Sequence, residues 1–270
     1  MAFSKSSMNK LGALAALFAA TALLAGCGGG GGGDAPAPGP APAPGPAPTP
    51  PAPAPSSTPT SLEQLQGFWA GALDAASSTE AIVLRNGEMW VVVQAGGAVR
   101  SAGKAQGVVN ASGVTATGVL TDLVAGTSQT LTVQATSIVP KTTLGGSLLA
   151  TAPAKTVSWA YNARYDTAVP LSDFAGRWTS TAGQQRLSVT WDLTAAGGLT
   201  GTSTTGCTYT GTLAQHAQAS SVASLNLSEN CAGTNSTFSG IATLNAAKTQ
   251  ASFVLGNAAG TEYTFVALQK

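Results

Sequence analysis

Leu171-Ser172-Asp173-Phe174-Ala175-Gly176-Arg177-Trp178 repeats a pattern first met 109 residues earlier, in Leu62-Glu63-Gln64-Leu65-Gln66-Gly67-Phe68-Trp69. Both stretches read Leu-x-x-apolar-x-Gly-x-Trp, and each is followed by about 90 residues of strand-like sequence. The recurrence predicts two homologous domains, residues 61–169 and 170–270, joined near Ala168-Val169-Pro170. Both are rich in Thr, Ser, Gly, Ala and Val, and neither carries a long stretch of 3.6-residue apolar periodicity. The fold class is therefore all-β.

The second copy divides most cleanly into strands, at Gly176–Ser180, Arg186–Thr194, Gly198–Thr204, Cys207–Gln215, Ser221–Ser228, Ser236–Leu244, Gln250–Leu255 and Thr261–Ala267. Within Arg186–Thr194, Leu187, Val189, Trp191 and Leu193 alternate with polar residues, as a half-buried strand requires. The first copy gives the same number of candidates: Gly67–Leu73, Ala81–Arg85, Glu88–Gln94, Val99–Gly107, Gly113–Thr121, Gln129–Val139, Thr142–Ala150 and Lys155–Tyr165. Asn86-Gly87 reads as a two-residue hairpin turn between the second and third.

Two cysteines test the reading. Cys207 and Cys231 form an even pair in what reads as an exported chain, so a disulfide is expected. Placing them opposite one another in a hairpin sets Leu213 against Leu225 and Gly211 against Leu227. Tyr209, Leu213, Leu225 and Leu227 then share one face, and Thr208, Thr210, Thr212, Ser224, Asn226 and Ser228 the other. A slip of one residue would put the two apolar sets on opposite faces.

Eight short antiparallel strands in about 100 residues can close into an up-and-down barrel. The Gly67-x-Trp69 and Gly176-x-Trp178 motifs resemble the opening of calycin barrels, the lipocalins and avidins. The resemblance implies that a short turn leads into the first strand and that the tryptophan plugs one end of the barrel. Leu199-Thr200-Gly201-Thr202 adds to the likeness. The second copy has no tryptophan after Trp191, where avidin-type biotin sites use aromatics from later strands, so biotin binding is not implied. The expected fold is thus two tandem eight-stranded antiparallel up-and-down β-barrels.

Ahead of them lies a different kind of sequence. Lys5 and Lys10 precede an apolar run from Leu11 to Ala25, too short to span a bilayer as a helix. Such a run reads as an export signal. It ends in Leu24-Ala25-Gly26-Cys27, which resembles the lipobox of bacterial lipoproteins at all four positions. The resemblance implies cleavage of residues 1–26, acylation of Cys27 and, with Gly28 rather than an acid after the cysteine, an outer-membrane anchor. Two or more acyl chains give the stable attachment that one does not. Gly28–Gly33 and the Ala-Pro-rich run that follows hold 12 of the 15 prolines and almost no large apolar side chain. Residues 27–60 are therefore expected to form a disordered, extended stalk, with a reach on the order of 70–80 Å.

Once residues 1–26 are removed the chain has 10 basic and 11 acidic residues, which leaves no basic patch for nucleic acid. No Gly-x-Ser-x-Gly elbow occurs, the acids show no paired spacing, and the lone His216 falls at an expected hairpin tip. The chain is expected to be no enzyme, to need no cofactor and to hold no metal. Gly67, Trp69, Gly176 and Trp178 are read as barrel-plug residues; Trp90, Trp159 and Tyr161 are the candidates for lining a ligand. Two functions remain at this stage. One is a stalk-presented binding or structural module with a protein or glycan partner at the envelope. The other is a lipocalin-like carrier, with Gly211, Ala223, Gly240 and Ala242 leaving interior space.

Overall fold

The computed structural model describes residues 55–150, 153–182 and 187–270. The signal segment, Cys27, most of the stalk and Arg186 lie outside the described residues. From Ser56 to Lys270 the chain forms one compact unit.

Two closed barrels make up that unit, each an antiparallel meander of eight strands. The first comprises β1 (Gly67–Ala72), β2 (Ser77–Val83), β3 (Glu88–Ala95), β4 (Ala98–Asn110), β5 (Gly113–Asp122), β6 (Thr127–Val139), β7 (Thr143–Leu149) and β8 (Lys155–Asn162). The second comprises β9 (Gly176–Ala182), β10 (Leu187–Leu193), β11 (Gly198–Ser203), β12 (Thr208–Gln215), β13 (Ala223–Cys231), β14 (Thr234–Leu244), β15 (Gln250–Asn257) and β16 (Tyr263–Gln269). Closure comes from pairing of β1 with β8 and of β16 with β9. It removes the free edges that would otherwise invite strand addition.

The hairpin register matches the one read from the cysteines. Leu213 pairs with Leu225 and Gly211 with Leu227, and the Cys207–Cys231 disulfide joins Cα atoms 4.3 Å apart. Tyr209, Leu213, Leu225 and Leu227 all belong to the core inside the second barrel.

Four local expectations change. β2 begins at Ser77 and ends at Val83, four residues ahead of the expected start. The turn after it has three residues, not two: Leu84 N–H donates to Glu88 O and Gly87 N–H to Leu84 O, with Gly87 at φ +80°. Glycine takes this left-handed position without the Cβ penalty, and it absorbs the extra residue. The second barrel repeats the device at Thr194–Gly198, with Gly197 at φ +89°. The strand expected to reach Tyr165 ends at Asn162, whose side chain accepts from Arg164 N–H and starts a 3-10 turn at Ala163–Asp166. Within the expected stalk, Ser57 pairs with Ile138 through two backbone hydrogen bonds of 2.9 and 2.7 Å.

Three apolar clusters hold the unit together. One fills the first barrel, with Trp69, Met89, Val91, Leu131, Ile138, Leu144 and Trp159 among its members. One fills the second, around Phe174, Trp178, Trp191 and Phe253. The third joins outward-facing residues of the two barrels: Phe68, Trp90, Val92 and Val99 from the first, and Ala219, Val222, Ile241, Val254 and Tyr263 from the second. Tyr263 N–H also donates to Thr121 Oγ1 at 2.8 Å across this contact. Strands covered on both faces lose polar alternation, and β3 accordingly runs Met89-Trp90-Val91-Val92, all buried.

Candidate functional site

The repeated motif does the same physical work in both barrels. A single helical turn, Leu62–Leu65 in one and Leu171–Phe174 in the other, precedes the first strand of each barrel and buries its last residue in that barrel's core. Its last carbonyl accepts from the indole four residues on: Trp69 Nε1 donates to Leu65 O and Trp178 Nε1 to Phe174 O, each at 2.6 Å. Burying an indole without such a partner would leave its N–H unsatisfied. The leading leucine packs at the turn glycine, Leu62 at Gly87 and Leu171 at Gly197. Gly67 admits no side chain, since a Cβ there would stand 2.6 Å from the Tyr161 ring and 2.9 Å from Trp69 Nε1. Beside Gly176, the Lys270 ammonium lies 4.9 Å over the Trp178 ring.

The candidate ligand-lining residues separate. Trp159 points into the first barrel with Val157 and is 1% exposed. Tyr161 sits half-buried, with its ring edge-on to Trp69 at 5.2 Å. Burial, then the Asp166 carboxylate beside it, push the phenol up from its ordinary range. Trp90 does not face the interior at all. It lies between the barrels, edge-on to Tyr263 at 6.0 Å, with the Lys104 ammonium 4.8 Å over its ring and its Nε1 donating to Glu88 at 2.7 Å. The reason is positional: on β3, Met89 and Val91 take the inward positions and Trp90 the outward one.

Large side chains occupy both interiors. Trp69, Trp159, Trp178, Trp191, Phe174 and Phe253 are the largest of the fully buried set. Trp191 packs edge-on to Phe253 at 5.0 Å and against Tyr209 at 5.8 Å. At two of the small residues the backbone comes close to the neighbouring strand: a Cβ at Gly211 would overlap Asn226 O, and one at Gly240 would overlap Val254 O. Ala223 and Ala242 are buried in the same core.

His216 is not at a free tip. The β12–β13 turn that carries it places Ala219 and Val222 in the inter-barrel cluster. Its Nδ1 accepts from Gln218 N–H at 3.1 Å, and burial lowers its pKa against a smaller opposing pull from Glu88 of the first barrel. Glu88 itself pairs with Lys104 at 3.0 Å.

What the second barrel offers to the outside is a groove of about 460 Å³ across β12, β13 and β14. Its outer positions are Thr210, Thr212, Asn226, Ser228, Thr237 and Ser239. All six carry hydroxyl or amide groups and none is charged. They stand on adjacent strands in register, Thr210 beside Ser228 beside Thr237 and Thr212 beside Asn226 beside Ser239. Alternation in the sequence gave this polar face, but not its concavity.

At one end of the second barrel, the disulfide lies beside Glu229, a carboxylate 8% exposed and directly across from Tyr209. Burial and then the Glu229 charge push the Tyr209 phenol up. Comparison with protein-family models, curated proteins and solved structures finds no match.

Proposed function

We propose that the chain is an acylated envelope lipoprotein whose paired barrels form a non-enzymatic binding or structural module, held off the outer membrane by the Pro-rich stalk. The lipobox resemblance at Leu24–Cys27 and the composition of residues 27–60 support the anchor. One observation carries the module reading: aromatic side chains occupy both barrel interiors, while the groove over Thr210, Asn226 and Thr237 opens outward. Ligand carriers work the other way, enclosing most of a small molecule in an apolar concavity. The partner is a protein or glycan of the envelope, engaged through outer faces and loops. The barrel pair resembles calycins in its Gly-x-Trp openings and up-and-down topology.

Native mass spectrometry of the intact chain tests the module reading. The expected result is the mass of the processed chain with its covalent lipid, less two hydrogens for Cys207–Cys231 and with nothing further bound. A mass excess lost on denaturation would overturn it in favour of a small-molecule carrier. Metabolic labelling with a palmitate analogue tests the anchor: label in the wild type and none in Cys27→Ala is expected, and equal labelling of both would refute it.

A further inference from the structure

The geometry points to a thiol-gated zinc site at the end of the second barrel, formed by Cys207, Cys231 and Glu229 when the disulfide is open. The two sulfurs and a Glu229 carboxylate oxygen all lie within 4.8 Å of one another. Tetrahedral zinc, with bonds of about 2.3 Å to sulfur and about 2.0–2.2 Å to oxygen, places its ligands roughly 3.3–3.8 Å apart. Small rotations about the side-chain bonds cover the difference. The three residues stand on adjacent paired strands, β12 and β13, with Cys207 just ahead of β12, so the backbone already sets their spacing.

Glu229 is a nearly buried carboxylate that stands beside the disulfide. Its neighbours on the inward face of this hairpin are Tyr209, Gly211, Leu213, Leu225 and Leu227. A buried carboxylate costs free energy unless it is paired, hydrogen-bonded or bound to a metal. In the closed state the hydroxyl of Tyr209 is its partner. Two prospective ligands also carry outer hydrogen-bonding groups of the kind that orient metal ligands. Tyr209 stands against Glu229, and Thr205 Oγ1 lies 3.6 Å from Cys207 Sγ. Two thiolates with one carboxylate suit zinc, and Cys231 is only partly buried, which leaves a fourth position for water.

The switch balances simply. A dithiol reductant gives two electrons and two protons to the disulfide and is itself oxidised to a disulfide. Cys207 and Cys231 become thiols. Zinc then displaces both thiol protons and binds two thiolates and the Glu229 carboxylate. A disulfide oxidant reverses the sequence: the two thiolates give it two electrons and re-form Cys207–Cys231, it takes two protons from solvent to become a dithiol, and the ion is released.

The test uses the full chain with Cys27→Ala, so that only Cys207 and Cys231 supply thiols. The protein is reduced with a phosphine, and cobalt(II) is added as a spectroscopic substitute, then displaced by zinc. The expected result is one metal per chain, with thiolate-to-cobalt charge-transfer bands in the reduced protein and none in the oxidised protein. Glu229→Gln is expected to weaken zinc binding by more than about tenfold while keeping the bands. Absence of the bands in reduced protein that keeps its strand circular dichroism would overturn the site. So would reduced protein that loses its strand structure and does not regain it with zinc. Equal affinity in Glu229→Gln would remove Glu229 as a ligand and overturn the three-residue site. None of these outcomes bears on the anchor or the outer groove.

Discussion

Trp90→Ala isolates the contact between the barrels. Its side chain is 4% exposed and belongs to the inter-barrel cluster, not to either interior. Removing it leaves the core of the first barrel, from Trp69 to Trp159, in place. Truncating a buried tryptophan costs about 3–5 kcal/mol. Within that figure, the edge-on pair with Tyr263 at 6.0 Å accounts for about 0.5–1.5 kcal/mol. The Lys104 contact lies within the first barrel and survives separation, so it does not add to docking. The Glu88 hydrogen bond and the Lys104 contact are lost within the first barrel; the rest of the loss, from the packing of Trp90 in the inter-barrel cluster, falls on the docking of two barrels that each have a core of their own. Wild-type protein should unfold in urea as one transition, coincident by far-UV circular dichroism and tryptophan fluorescence. The variant should unfold in two, the first midpoint shifted down by an amount equivalent to at most about 3–5 kcal/mol. A single retained transition with a loss under about 1 kcal/mol would refute the view that this cluster couples the barrels.

Other expectations follow from the same structure. Replacing both Cys207 and Cys231 by Ala opens a loop of sequence separation 24 and should lower stability by about 3.5 kcal/mol in urea titration. Gly201→Ala would drive its Cβ into the Trp191 ring, which packs against Phe253 and Tyr209; a loss of about 1–3 kcal/mol by thermal unfolding is expected. Burial lowers the His216 pKa, so the unfolded chain binds its proton more readily than the folded one. That contribution to stability is complete above about pH 6.5 and is lost as pH falls through the ordinary histidine range. His216→Gln should flatten the pH dependence of the urea midpoint between about pH 7 and 5, and an unchanged slope would contradict the assignment.

Much of this fold was legible in the chain because period-2 alternation and a repeated motif are local signals. The Leu-x-x-apolar-x-Gly-x-Trp repeat marked both barrel openings, and the shared hydrogen bond from Trp69 to Leu65 and from Trp178 to Phe174 shows why its spacing recurs. The disulfide register was legible because pairing Cys207 with Cys231 puts Leu213 and Leu225 on the same face, where a one-residue slip would separate them. The position of β2 was harder. Ser77 to Glu80 carry no large apolar side chain, and the three-residue turn at Gly87 displaces the pairing that a two-residue turn implies.

Sequence alone determined the strand count, the closure of the Cys207–Cys231 hairpin and the duplication, since each rests on residues whose spacing along the chain fixes their relation. Tertiary structure alone decided which apolar face is inside. Met89 and Trp90 are neighbours of similar hydrophobicity, and alternation says only that they point opposite ways. Which of them meets the interior and which meets the second barrel depends on curvature and on a partner about 170 residues away, Tyr263. The same holds for His216, which a turn-rich sequence places at a tip and the packing of Ala219 and Val222 places against a neighbour. It holds as well for Glu229 beside the disulfide, whose meaning as a buried carboxylate exists only once the barrel closes around it.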